Sequence, residues 1–156
     1  MAQLKPQDKA PPFELLDQEG KTVKLADFKG RKVLLYFYPK ADTPGCTTQS
    51  CSVRDAMPDL TKAGVAALGI SPDSPDKQMK FDRKYNLGFP LLADTEHKVA
   101  EAYGVWGEKV SMGKTTIGII RSSFLIDEKG RLVQAWYKVS PDDTVSNAQE
   151  ALARMP

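Results

Sequence analysis

Cysteine is scarce in this chain: there are two among 156 residues, with a single histidine, His97. Two cysteines cannot build the disulfide framework of a small secreted domain. They do not form a C-x-x-C redox pair, and C-x4-C with one distant histidine lacks the usual spacing of a metal site. Charge of one sign is missing too. The net charge is +2, and no run of Lys and Arg reaches five, so neither nucleic acid nor a membrane surface is an expected partner. No apolar run approaches the roughly 20 residues that span a bilayer. The first residues carry no apolar signal core, and there is no Asn-x-Ser/Thr site. The expected setting is a reducing cytoplasm, where a reversible thiol pair is catalytic or sensing rather than structural.

What is present is an ordinary globular composition, 41% hydrophobic and 27% charged, and residues 1–156 are expected to form one domain. Residues 13–16 and 23–25 flank a Gly20 turn and predict an N-terminal β-hairpin. Val33 to Tyr38 is a continuous β-branched and aromatic run, the pattern of a strand buried on both faces. Pro39 ends it. A helix is expected from Thr43 to Lys62, with Thr43 as cap, Pro44 in the first turn and a kink or break at Pro58. Further strands are expected at 65–70 and 90–93, and a single long one at 117–126. A last strand follows at 131–137. Helices are expected from Ser74 to about 86, from Asp94 or Thr95 to Tyr103, and over 142–154. Alternating strands and helices imply an α/β architecture of thioredoxin type: a central mixed sheet flanked by helices on both faces.

The chemistry concentrates in one stretch. Cys46 follows the stiff loop Pro39 to Gly45 and sits in the first turn of the expected helix, where unpaired N–H groups carry partial positive charge. A free thiol with a pKa of about 8.5 is only roughly 3% ionised at neutral pH, and holding one mostly ionised takes roughly 3.4 kcal/mol. A helix terminus supplies at most about 2 kcal/mol. A cation is therefore required, and Arg54 and Arg121 are both candidates. Thr43, three residues before Cys46, can place a hydroxyl near the sulfur. Pro39 and Pro44 can shield it from water. Cys51 is the candidate partner. Five residues along a helix rise about 7.5 Å and turn roughly 140°, which sets the two Cα atoms about 8.5 Å apart on different faces. A disulfide needs them within about 6.8 Å. The two sulfurs can join only if the first turns unwind.

The run Pro39-x-x-x-Thr43-x-x-Cys46 matches the active-site signature of the peroxiredoxins. Residues 39–47 and 51–55 resemble the peroxiredoxin Q, or bacterioferritin comigratory protein, subfamily. So do residues 69–71, 89–94, 103–109 and 121–127. The resemblance implies that Cys46 is the peroxidatic nucleophile. It implies that Thr43 hydrogen-bonds the peroxide, that Pro39 shields the pocket, and that Arg121 rather than Arg54 is the cation at the sulfur. Cys51 matches the resolving cysteine of members that carry one in this helix. The implied activity is reduction of hydrogen peroxide and alkyl hydroperoxides through a Cys46 sulfenic acid and a Cys46–Cys51 disulfide. A thioredoxin-type dithiol recycles it, with no metal or other cofactor, in a monomer. Ser123 stands where threonine is common in the family, and the segment after Tyr137 matches less well.

Two other functions compete with this one: a protein thiol–disulfide oxidoreductase, and a non-catalytic redox sensor or holdase. Neither needs a hydroxyl three residues before the sulfur. Gly113-Lys114-Thr115 resembles the end of a phosphate-binding loop, but position 108 is Glu rather than Gly and a strand-like run follows, so a flexible loop is expected there. His97 is expected as a solvated helix residue, and Trp106, Trp136, Phe81, Tyr85 and Phe89 as packing.

Overall fold

The computed structural model describes residues 3–155. Nine strands and four helices follow in chain order: β1 (Glu14–Leu16), β2 (Thr22–Lys24), β3 (Lys32–Phe37), α1 (Pro44–Lys62), β4 (Val65–Ser71), α2 (Pro75–Tyr85), β5 (Leu91–Ala93), α3 (Lys98–Ala102), β6 (Trp106–Ser111), β7 (Lys114–Ile119), β8 (Ser122–Ile126), β9 (Leu132–Trp136) and α4 (Asp143–Ala153). A short 3-10 turn, Leu25–Phe28, links β2 to β3. Seven strands form one mixed sheet in the order β2-β1-β5-β4-β3-β8-β9. β3, β4 and β5 are parallel, and β1, β8 and β9 run antiparallel to their neighbours.

The period-2 alternation of β3 divides the core. Val33, Leu35 and Phe37 face one layer, with Val99 and Ala100 of α3, Tyr103 just after it, and Phe124 of β8. Leu34, Tyr36 and Tyr38 face the other, with Cys46, Val53 and Leu60 of α1, Phe81 of α2 and Ala148 of α4. Each large apolar side chain so buried contributes about 1.5–3 kcal/mol. Helices thus cover both faces, and α1, α2 and α4 share the face that carries Cys46. The expected packing role of Phe81 and Phe89 holds, since both are buried.

Several boundaries differ from expectation. The helix at Pro58 runs unbroken from Pro44 to Lys62. Val53, Ala56 and Leu60 are all buried, so packing on both sides of the proline outweighs its one lost hydrogen bond. The expected single strand over 117–126 is two strands, β7 and β8, separated at Ile120 and Arg121. Residues 113–115 are not a loose loop. Met112 and Gly113, with φ of 52° and 77°, make the turn of a separate β6–β7 hairpin, the positive-φ pair that tight hairpins require. α3 begins only at Lys98, and Asp94 binds its first turn through Val99 N and Ala100 N. His97 is the left-handed residue ahead of α3 rather than a helical one, and its ring stacks on Trp106 at 3.9 Å.

Candidate active site

Cys46 sits where the C-terminal end of β3 delivers the chain to α1. The Pro39–Gly45 loop between them is tied down at two points. Ala41 N donates to Asp73 Oδ2 at 2.7 Å, and the same oxygen accepts from Ser71 Oγ. Asp42 adopts a left-handed conformation, and its carboxylate accepts from Lys84 Nζ at 2.9 Å and Tyr85 Oη at 2.7 Å. Those two donors, Lys84 foremost, hold Asp42 below the usual carboxylate range. Loop geometry, and with it the entry angle of α1, is thereby fixed against α2.

Thr43 is the N-cap of α1 by backbone conformation, but its side chain makes no capping bond. Its Oγ1 donates to Lys40 O at 2.8 Å. The hydroxyl proton is therefore committed, and the oxygen keeps its lone pairs to accept from an incoming donor. The first backbone bond of the helix is Thr47 N to Thr43 O, so the N–H groups of Gly45 and Cys46 lie ahead of it. Pro39 is half-buried at the start of the loop.

Cys46 is 1% exposed. Arg121, in the two-residue break between β7 and β8, donates Nη2 to its Sγ at 3.4 Å. The other branch of the guanidinium, Nη1, donates to Gln49 Oε1 at 2.6 Å. Gly45 permits this approach. A Cβ there would lie 3.0 Å from Arg121 Nη2 and 3.4 Å from Pro141 Cγ. Arg54 points elsewhere. It donates to Asp55 Oδ1 at 2.9 Å and to Tyr85 O at 2.7 Å. Of the two cations that spacing left open, the structure brings Arg121 to the sulfur and turns Arg54 away.

Cys51 is half-buried, and both cysteines are free thiols within an intact α1. Between them lie Gln49 and Ser50, both fully buried. Ser50 Oγ is 2.8 Å from Tyr36 Oη. Tyr36 reaches it because Gly69 of β4 leaves room, since a Cβ there would come within 2.8 Å of the phenol oxygen. Burial pushes the Tyr36 hydroxyl far above the ordinary tyrosine range. It stays protonated.

Three residues of the site were not singled out from the sequence. Gln49 had a readable signal. It falls on the same stripe as Val53, Ala56 and Leu60, so a polar side chain was being placed against the core. Thr144 of α4, whose Oγ1 accepts from Gln49 Nε2 at 2.9 Å, had none. Lys109 of β6 became visible only with the hairpin. It lines a cleft of about 350 Å³ together with Val110, Ile120, Arg121, Lys138 and Val139. Partial burial, and then the nearby Arg121 charge, lower its pKa. Among the described residues no group of three or more His, Cys, Asp or Glu is placed to hold a metal ion. Nor is any described helix long and apolar enough to cross a membrane.

Known proteins resemble this chain in sequence and in fold. The AhpC/TSA family model matches residues 6–135. Peroxiredoxin Bcp of Bacillus subtilis is 50% identical over 147 residues, 94% of each chain. Peroxiredoxin Bcp of Escherichia coli is 57% identical over 132 residues, 85% of each chain. Among solved structures, peroxiredoxin Q of Xanthomonas campestris superposes with a TM-score of 0.86 at 34% identity, covering 97% of this chain and 96% of its own. BcpB of Mycobacterium tuberculosis, described as a peroxidoxin, superposes at 0.87 and 32% identity, covering 98% and 99%.

Proposed function

The chain belongs to the AhpC/TSA family, within its Bcp and peroxiredoxin Q members, and is a thiol-dependent peroxidase; on that premise we propose that Cys46 is the nucleophile and Cys51 the resolving thiol. The observation that carries this is the 3.4 Å contact between Arg121 and the Cys46 sulfur at the start of α1. At that separation two unit charges in an effective dielectric of about 20 attract by roughly 5 kcal/mol before desolvation. That gross figure exceeds what the helix terminus alone supplies.

In the proposed cycle the Cys46 thiolate attacks the distal oxygen of a hydroperoxide. The O–O bond breaks, an S–O bond forms, and a proton from the medium completes the departing water or alcohol. Cys46 is left as a sulfenic acid. Negative charge moves onto the peroxide oxygens during this step. The Arg121 N–H groups not bonded to Cys46 or Gln49, the lone pairs of Thr43 and the N–H groups of Gly45 and Cys46 are the groups available to steady substrate and charge. The cleft beside Arg121 is the way in, and Pro39 walls the loop side. Cys51 then attacks the Cys46 sulfur. An S–S bond forms, the S–O bond breaks, and water leaves. A thioredoxin-type dithiol reduces the disulfide by exchange and is itself oxidised. Both hydrogen peroxide and alkyl hydroperoxides fit the reading. A resolver in the same chain requires no second subunit, which favours a monomer. One domain over 1–156 carries the whole cycle, in a reducing cytoplasm that supplies the dithiol.

Cys51→Ser tests the division of labour. The variant consumes one equivalent of peroxide to give Cys46 sulfenic acid, which accumulates, and a second equivalent carries it to sulfinic acid, both read by intact mass. With a dithiol reductant its steady-state turnover falls well below that of the wild type. Retention of full turnover with no oxygen on Cys46 would remove Cys51 from the cycle.

A further inference from the structure

We propose that Thr144 is a positioning residue that sets how readily the site passes from peroxide attack to closure of the Cys46–Cys51 bond. The proposal rests on the roles assigned above to those two cysteines.

An unbroken chain of contacts joins α4 to the sulfur. Thr144 Oγ1 accepts from Gln49 Nε2 at 2.9 Å, Gln49 Oε1 accepts from Arg121 Nη1 at 2.6 Å, and Arg121 Nη2 donates to Cys46 Sγ at 3.4 Å. Thr144 and Gln49 are both fully buried, so water does not stand in for either partner. The two ends of a glutamine amide have nearly the same shape and opposite hydrogen-bonding character. Arg121 offers only donors and needs the oxygen end. Thr144 accepts from the nitrogen end and so fixes which end Arg121 meets. Without that acceptor the amide NH2 is buried and unpaired, and rotation would turn two donors toward a guanidinium. Thr144 thus orients Arg121 without touching the reacting atoms.

The same bond opposes the next step. Cys46 and Cys51 cannot approach until the first turns of α1 unwind, and Gln49 lies between them. Gln49 must leave Thr144 before the disulfide forms. Ala148, with Val145 and Leu152 beside it, packs α4 into the same cluster as α1. The anchoring helix stays in place while the segment that carries Gln49 moves. Loss of the Thr144 hydroxyl therefore has two effects of opposite sign. Attack on peroxide slows, because Arg121 is less well aimed. Closure speeds up, because unwinding breaks one bond fewer. A sulfenic acid that closes sooner has less time to meet a second hydroperoxide. That encounter adds one oxygen to the sulfur, giving sulfinic acid, and releases water or alcohol.

The experiment compares full-length wild type, Thr144→Val and Thr144→Ser, with hydrogen peroxide as oxidant and dithiothreitol as reductant. Rapid quench and mass spectrometry give the rate of Cys46 oxidation and the sulfinic fraction per turnover. Amide hydrogen exchange over 44–51 reports unwinding. In the valine variant, Cys46 oxidation is expected to fall about tenfold and exchange over 44–51 to rise about tenfold, as for loss of one buried hydrogen bond aimed at a catalytic cation. Its sulfinic fraction drops, and exchange in β3 is unchanged. Serine restores all three. If the valine variant loses protection in β3, Thr144→Ala replaces it under the same criteria. The proposal is overturned if attack is not slowed, if the sulfinic fraction does not fall, or if serine fails to restore both. A wild type that forms no Cys46–Cys51 bond would overturn the cysteine assignment instead.

Discussion

Replacing Cys46 with serine lowers peroxide consumption by more than about 10³-fold, the scale on which loss of a nucleophile removes covalent catalysis. The substitution is close to isosteric in a site that is 1% exposed, so the fold survives and the loss is chemical. A hydroxyl at that position is not ionised under working conditions, and neither Arg121 nor Thr43 beside it can serve as a general base. Arg121 offers only donors, and the Thr43 proton is already held by Lys40 O. Cys51 does not substitute. Arg121 donates to Cys46 Sγ, whereas Cys51 lies roughly 140° further round α1. A coupled assay with a dithiol reductant reads the effect. Turnover within tenfold of wild type would assign the nucleophile elsewhere.

Arg121→Gln is expected to reduce kcat/KM for hydroperoxide by about 10²–10³-fold, the usual consequence of removing one preorganised group that stabilises developing negative charge. The informative comparison is Arg121→Lys. Lysine keeps the charge but presents one compact ammonium, whereas arginine uses two branches here, one on Cys46 and one on Gln49. A role based on charge alone predicts near-complete recovery with lysine. The two-branch geometry predicts recovery of only part of the loss, about tenfold below wild type. Rates equal to wild type in the glutamine variant would remove Arg121 from the chemistry.

How much of this could be read from the residues depended on whether the signal was local. The run Val33 to Tyr38, which matches β3 (Lys32–Phe37) to within one residue at each end, and the Pro44 start of α1 are written in neighbouring positions. Both stand where the pattern puts them. Cys46, Thr43 and Pro39 are local in the same sense, because one loop carries all three. Arg121 lies 75 residues from Cys46, and helix chemistry alone could not separate it from Arg54. The separation comes from the antiparallel pairing of β8 with β3, which sets residue 121 over the mouth of α1. Pro58 misled because its intrinsic cost is local while the packing of Val53, Ala56 and Leu60 that overrides it is not. The β6–β7 hairpin was missed because Met112 at positive φ is an unusual residue for such a turn. Val110, Met112 and Ile117 are exposed, so the hairpin lacks the alternating apolar pattern that marks a half-buried strand. Thr144 had no signal at all, since nothing near it in the chain reveals that α4 returns to α1.

The most direct test treats reduced wild-type protein with one equivalent of hydrogen peroxide under exclusion of reductant, followed by thiol blocking and peptide mapping. A monomeric product that has lost two hydrogens, with an internal Cys46–Cys51 link in the one peptide that carries both cysteines, is the expected result. Oxygen retained on either sulfur without that link, or a bond between two chains, would contradict it.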